Sequence, residues 1–98
     1  MIEVRETGEF SEWFGALKDA RARAKILVRI AQLARRNPGD VAPAGGEVSE
    51  LKIRHGPGYR VYYVQRGTKY ALLLAGGDTS TQGKDIARAK RLLGEYVE

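Results

Sequence analysis

Between residues 48 and 77 the chain reads as three apolar-rich runs, VSELKIR (48–54), GYRVYYVQR (58–66) and KYALLLAGG (69–77). Only HGPG and RGTK separate them. Connections of that size turn a chain back on itself, so the runs are expected to form consecutive antiparallel strands. The last run is almost wholly apolar, the pattern of a strand covered on at least one face. This block fixes a sheet, and everything else in the chain has to pack against it.

Upstream, IEVRE (2–6) is short, alternating and β-branched, and reads as a further strand. Phe10, Trp13, Phe14 and Leu17 then stand at i, i+3, i+4 and i+7, one apolar face of a helix. Asp19 is placed to cap a second helix, whose inner face is expected to carry Leu27, Ile30, Ala31 and Ala34 until Asn37-Pro38-Gly39 stops it. NPGDVAPAGGE (37–47) reads as a loop. A third helix is expected from about residue 80, with Thr79 and Gln82 as a capping box, or Ser80 as the cap. Ile86, Ala89, Leu93 and Val97 line its inner face. The expected fold is α+β, in the order β-α-α-β-β-β-α: one domain over 1–98, a small antiparallel-rich sheet with its helices on one face.

Alternation along the strands sorts the side chains. Leu51, Ile53, Tyr59, Val61 and Tyr63 share the face expected to meet the helices. Lys52, Arg54, Arg60 and Tyr62 share the other, with His55 at the turn and Glu50 as a local counterion. As a bland surface this is the solvated side of a sheet, whose basic residues discourage edge pairing. Neighbouring cations repel, however, and an anionic ligand relieves that repulsion. Such a face suits RNA cleavage, because the ribose 2′-OH is the nucleophile. The reaction then needs a base, cations for the charge on phosphorus, and a proton donor for the leaving oxygen. Arg60 fits the phosphate role, Lys52 or His55 the acid–base role, and Tyr62 stacking or proton transfer.

Two more basic sets stand at helical spacing: Arg21, Lys25, Arg29 and Arg36, then Lys84, Arg88 and Arg91. Each is either a solvated helix face or a docking surface for ribosomal RNA or an acidic partner. The chain carries 17 Lys and Arg against 12 Asp and Glu, a formal charge of +5, which favours an anionic partner. With no cysteine and a single histidine, disulfides, thiolate metal sites and a two-histidine acid–base pair are excluded. No metal or cofactor is expected. No apolar run has the length of a membrane span, and MIEVRETGEF has no signal-peptide pattern, so a cytoplasmic location is expected.

LKIRHGPGYRVYY (51–63) followed by LLLAGGDTSTQGKDIARAK (72–90) resembles the RelE/ParE toxin superfamily, and within it the HigB-like addiction-module killer proteins. The resemblance extends from FSEWFGALKD through RIAQLARRNPGD to the last helix. It implies the toxin of a type II toxin–antitoxin pair: a ribosome-dependent, metal-independent mRNA endonuclease that arrests translation. Its implied partners are a helix-turn-helix antitoxin, the ribosome and mRNA, with DNA reached only through the toxin–antitoxin complex. Arg60 matches the strand arginine of that branch; Lys52, Arg54 and Tyr62 correspond by face and strand, and His55 by proximity. Arg21, Lys25, Arg29, Lys84 and Arg88, from the helically spaced basic sets, are the expected RNA- or ribosome-binding residues. The family signature usually reads Gly-Gly-Asp-Lys-Ser-Thr-Gln, and here Thr79 stands where the lysine is expected: if that lysine contacts phosphate, activity weakens or the task moves to Lys84, and if it is only surface, Thr79 improves the cap. A ParE-like toxin that poisons gyrase, or a weakened toxin that only binds its antitoxin, are the alternatives.

Overall fold

The computed structural model describes residues 1–96. Its elements are β1 (Glu3–Glu6), α1 (Gly8–Ala16), α2 (Ala20–Ala34), β2 (Val41–Gly45), β3 (Val48–Ile53), β4 (Tyr59–Arg66), β5 (Tyr70–Gly77), a 3₁₀ turn (Thr79–Thr81) and α3 (Gln82–Glu95). The sheet is mixed, in the order β1-β5-β4-β3-β2. β2 through β5 form an antiparallel meander, while β1 pairs parallel with β5, placing Val4 beside Ala71. The three runs expected to be strands are strands, and the hairpin turns carry glycines at positive φ: Gly56, Gly58 and Gly67.

The expected order lacks one strand. Val41–Gly45, within the stretch read as a loop, pairs with β3 from Val41–Leu51 to Gly45–Val48. Its proline and glycine disguised it. Pro43 cannot donate to a ladder and is tolerated because β2 is an edge strand.

The helices occupy both faces of the sheet, not one. On one side α1 and α2 cover Leu51, Ile53, Val61, Tyr63, Ala71 and Leu73 with Phe10, Ile26 and Leu33. On the other, α3 covers Val48, Tyr62, Val64, Leu72, Leu74 and Ala75 with Ile86, Ala89, Leu92 and Leu93. Val97, also expected there, lies outside the described residues. β5, buried at every position, is the strand sandwiched between the two layers.

Helix starts follow local chemistry. Thr7 caps α1 by accepting from the Phe10 amide, and Asp19 caps α2 through the amides of Arg21 and Ala22. The inner face of α2 is Ala22, Ile26 and Leu33 with Ile30 beside them, while Leu27 is 54% exposed. The expected stripe was therefore rotated by about one residue. α2 ends before Arg36, which takes a left-handed turn at φ 63°. At α3 no capping box forms. Asp78 accepts from the Ser80 amide and caps the 3₁₀ turn, which lowers its pKa mainly through the Ser80 hydrogen bonds. Gln82 is spent elsewhere.

Candidate functional site

At the β3–β4 turn a cleft of about 300 Å³ is lined by Lys52, Arg54, His55, Tyr59, Arg60 and Thr79, with backbone from Gly56 and Gly58. Register explains the grouping: Lys52 faces Arg60 across the β3–β4 ladder, and Glu50 faces Tyr62 one pair further in. No carboxylate lines the cleft. A larger concavity of about 910 Å³, between β5 and the end of α3, involves none of the candidate residues.

Arg60 is the most constrained of these cations. Its Nε stands 3.3 Å from Glu50 Oε1, and its Nη1 donates to the Gly58 carbonyl at 3.1 Å and to Thr79 Oγ1. Its Nη2 has no partner among the described residues. The side chain is 16% exposed and lines the cleft, while its buried Nε meets Glu50 as an ion-pair contact and makes no hydrogen bond among the described residues. Gly58 sits at φ 82°, and a Cβ there would stand 2.5 Å from Thr79 Oγ1, so only glycine lets the turn close onto that hydroxyl.

Beneath Arg60 lies Glu50, 4% exposed. Its Oε1 accepts from Gln82 Nε2 at 2.7 Å, and its Oε2 stands 4.0 Å from Lys52 Nζ. A buried carboxylate needs such partners, since its ionised form is otherwise costly in a low-dielectric site. Sequence reading treated Glu50 as a mere counterion and missed its central place. The available signal was an acid on the sheet face that otherwise collects Lys52, Arg54 and Arg60.

Tyr62 is not on an open surface. It shares the face of Arg60, as alternation required, but α3 lies over that face and leaves Tyr62 fully buried. Its hydroxyl lies beside the Glu50 carboxylate without forming a hydrogen bond of good geometry among the described residues. Burial, then the charges of Glu50 and Asp85, push its pKa above the ordinary tyrosine value, so it remains a neutral phenol. It cannot stack on a base. Tyr59 is the tyrosine at the cleft, its ring edge-on to Trp13 at 6.3 Å.

His55 and Arg54 border the cleft with prior engagements. His55 Nε2 meets Asp19 Oδ2 at 3.0 Å, clipping the β3–β4 turn to the start of α2. The Ala22 amide first, and His55 second, hold the Asp19 carboxyl below its ordinary pKa. Arg54 is 81% exposed and pairs with Asp40 at 2.8 Å.

The residues expected to bind RNA or the ribosome divide. Arg29 is structural: its guanidinium donates to the carbonyls of Lys52, Pro38 and Asp40, joining α2 to β3 and the segment before β2. Arg88 is structural too, donating to the Gly76 carbonyl and to Asp85, both at 3.0 Å, and lying 3.7 Å from Glu9. Arg21, Lys25 and Lys84 are exposed, and none of them lines the cleft.

The segment Gly76–Gln82 acquires a residue-by-residue account. A Cβ on Gly76 would stand 2.6 Å from Trp13 Cδ2 and nearer to other ring atoms, so this glycine admits α1. A Cβ on Gly77 would stand 2.6 Å from Asp85 Cγ and nearer to Oδ2, so the next glycine admits α3 on the opposite face. Asp78 caps the turn, Thr79 fixes Arg60, Thr81 donates to Asp85 at 2.6 Å, and Gln82 fixes Glu50. Thr79 acts on the cleft by holding an arginine.

Among the described residues no group of histidine, cysteine, aspartate and glutamate could hold a metal ion, and no helix is long and apolar enough to cross a membrane. The geometry offers a fixed, half-available guanidinium, a lysine and a histidine beside it, and an aromatic ring at the rim. That set can bind an oxyanion and shuttle protons.

No protein-family model matches the chain. It is 44% identical over 94 residues, 96% of this chain and 95% of its relative, to an uncharacterized protein of Haemophilus influenzae (strain ATCC 51907 / DSM 11121 / KW20 / Rd). At that identity, across nearly the full length of both, the chain belongs to the same family as this Haemophilus influenzae protein.

Proposed function

We propose that the chain is the toxin of a type II toxin–antitoxin pair, akin to the RelE/ParE superfamily, and that it cleaves mRNA on the ribosome. The observation that carries this reading is Arg60: a guanidinium braced by Glu50, Thr79 and the Gly58 carbonyl, with one amino group left for a ligand in a cation-lined cleft.

In this reading the ribose 2′-oxygen attacks the adjacent phosphorus while the bond to the 5′-oxygen breaks. The 2′-OH gives its proton to a base, and the departing 5′-oxygen receives one from an acid. Arg60 stabilises the charge gathered on the phosphoryl oxygens, and it does so with little reorganisation because three contacts fix it beforehand. Lys52 and His55 border the same cleft and are the acid–base candidates. Tyr59 takes the stacking role first assigned to Tyr62. RNA supplies the nucleophile, so the chemistry needs no metal. A helix-turn-helix antitoxin is the expected inhibitor.

Primer extension on an mRNA incubated with the purified protein, with and without programmed ribosomes, tests the reading. Cuts that require both ribosomes and Arg60 are expected; because Arg60→Ala leaves the buried Glu50 without its guanidinium, circular dichroism checks the fold of the variant and Arg60→Lys, which keeps the charge, is assayed beside it. Absence of cuts under every condition would transfer the assignment to gyrase poisoning or to a toxin without activity.

A further inference from the structure

The one histidine of the chain lines the cleft with its two ring nitrogens in different situations. Nε2 lies 3.0 Å from Asp19 Oδ2. Nδ1 has no hydrogen-bond partner among the described residues, and it is not one of their buried polar atoms left without a partner, so it reaches solvent. The ring is tethered at one nitrogen and open at the other.

Asp19 is itself anchored. Its Oδ1 accepts from the amides of Arg21 and Ala22 at 3.0 and 3.1 Å, which leaves Oδ2 for the imidazole. The Ala22 amide first, and His55 second, hold the carboxyl below its ordinary pKa, so it is an anion at neutral pH. A carboxylate accepts hydrogen bonds and cannot donate them, so the close contact puts a hydrogen on Nε2. In the neutral ring Nδ1 then carries the lone pair. The backbone of His55 is held as well: its amide donates to the Ile53 carbonyl at 2.9 Å, and its carbonyl accepts from the Gly58 amide at 3.1 Å. Sequence spacing gave no sign of the contact, because the two residues stand 36 positions apart.

We propose that Asp19 and His55 form a dyad in which His55 Nδ1 is the base for the ribose 2′-OH and Asp19 is a positioning residue that sets the tautomer and orientation of the ring. The dyad presupposes the RNA-cleaving reading of the cleft given above. As the bond from O2′ to phosphorus forms and the bond from phosphorus to O5′ breaks, the 2′-proton passes to Nδ1. Lys52 Nζ, which borders the same cleft, gives a proton to O5′. The products are a 2′,3′-cyclic phosphate and a 5′-hydroxyl, and solvent then takes the proton from Nδ1 and restores the one lost by Lys52. The cations that face the ring across the cleft, Lys52, Arg54 and Arg60, hold the phosphate and offer no competing acceptor for its hydrogen.

Long-range ¹⁵N–¹H correlation on the protein with ¹⁵N-labelled histidine reads the dyad without any substrate, and one histidine leaves no ambiguity of assignment. With the ring neutral, Nδ1 is expected at the shift of a bare nitrogen and Nε2 at that of a protonated one. The reverse would overturn the dyad. Ribosome-dependent cleavage is then compared among the parent, His55→Ala, Asp19→Asn and the double variant, with circular dichroism checking each fold. His55→Ala should lower kcat by about 100-fold or more. Asp19→Asn, which keeps a capping side chain on α2, should lower kcat by at least about tenfold and leave KM within about twofold. The double variant should be no slower than His55→Ala, because Asp19 acts only through the imidazole. Full kcat in His55→Ala, an effect of Asp19→Asn on KM alone, or additive losses in the double variant would overturn the dyad and leave RNA cleavage standing. Absence of cleavage by the parent would overturn the reading of the cleft and the base with it, whatever the tautomer.

Discussion

Replacing Gly77 by alanine puts the close approach of β5 and α3 to a quantitative test. The new Cβ would stand 2.6 Å from Asp85 Cγ and nearer to Oδ2, where ordinary carbon–oxygen contact is about 3.4 Å. Something must yield by more than half an ångström. The strand cannot do so easily, because Gly77 pairs with Arg60 and lies in a strand buried throughout. Asp85 must move, and it holds Thr81 Oγ1 at 2.6 Å and Arg88 Nη2 at 3.0 Å. Overpacking costs about 1–3 kcal/mol, and weakening a charged hydrogen bond about 1.5–3 kcal/mol, partly recovered because Arg88 keeps Glu9. The sum is about 3 kcal/mol, a loss of roughly 12–24 °C in Tm for a domain of this size.

Thermal and urea unfolding by circular dichroism measure this, and the decisive comparison is made twice. In an Asp85→Ala background the obstructing carboxylate is gone, so Gly77→Ala should cost less than about 1 kcal/mol, a coupling of about 2 kcal/mol. Equal costs in the two backgrounds, or a Tm drop under about 4 °C in the parent, would show that Asp85 is not what excludes a side chain at Gly77.

Three further outcomes follow from the site. Tyr62→Phe removes a buried hydroxyl that makes no well-formed hydrogen bond, so stability should hold or rise by up to about 1 kcal/mol, and the RNA cleavage proposed above should persist; lost cleavage in a folded variant would restore Tyr62 to that proposed chemistry. Glu50→Ala leaves Gln82 and a largely buried Arg60 without their carboxylate and should cost about 2–3 kcal/mol in urea unfolding, less than for a fully buried pair because Arg60 is 16% exposed. Asp19→Asn keeps a capping side chain but no charge opposite His55. The folded-state pKa of Asp19 is depressed, so its charge stabilises the fold above the ordinary aspartate value of about 3.9 and loses effect as pH falls through the lower, folded value. Urea midpoints of the parent and Asp19→Asn should therefore differ clearly at pH 5 and converge as pH falls below about 4. A difference that does not shrink in acid would exclude the carboxylate as its source.

The parts legible from the chain were those governed by short-range rules. Two-fold alternation sorted Leu51, Ile53, Val61 and Tyr63 from Lys52, Arg60 and Tyr62 correctly, and Asp19 was readable as a cap because its bonds reach only two and three residues onward. Alternation assigns a face, though, and does not say what covers it. Tyr62 and Val64 on β4, with Leu72 and Leu74 on β5, form an apolar patch on the same side as Arg60, and α3 is there to bury it. That patch was visible in the runs; the cationic residues beside it drew the reading toward an open surface. Arg29 and Arg88 failed for a different reason. Helical spacing locates a Cα on a face, whereas a guanidinium at the end of a long stem can turn back to carbonyls brought near by the fold, such as Pro38 and Gly76.

The cleft depends on what happens to β5 just beyond it. At Gly76 and Gly77 the strand has no side chains, so Trp13 closes against one face and Asp85 against the other. The chain can then leave the sheet in a tight turn capped by Asp78, and that turn delivers Thr79 to Arg60 and Gln82 to Glu50. Neither delivery is possible if the helical layers stand off the strand by a methyl group. The pair of glycines therefore acts on the cation without touching it, and the Thr79 hydroxyl sets the last degree of freedom of a guanidinium already fixed by Glu50 and the Gly58 carbonyl. A lysine in place of Thr79 would add a charge at the rim and remove that brace. Thr79 instead adds no charge and braces the cation at the centre of the cleft.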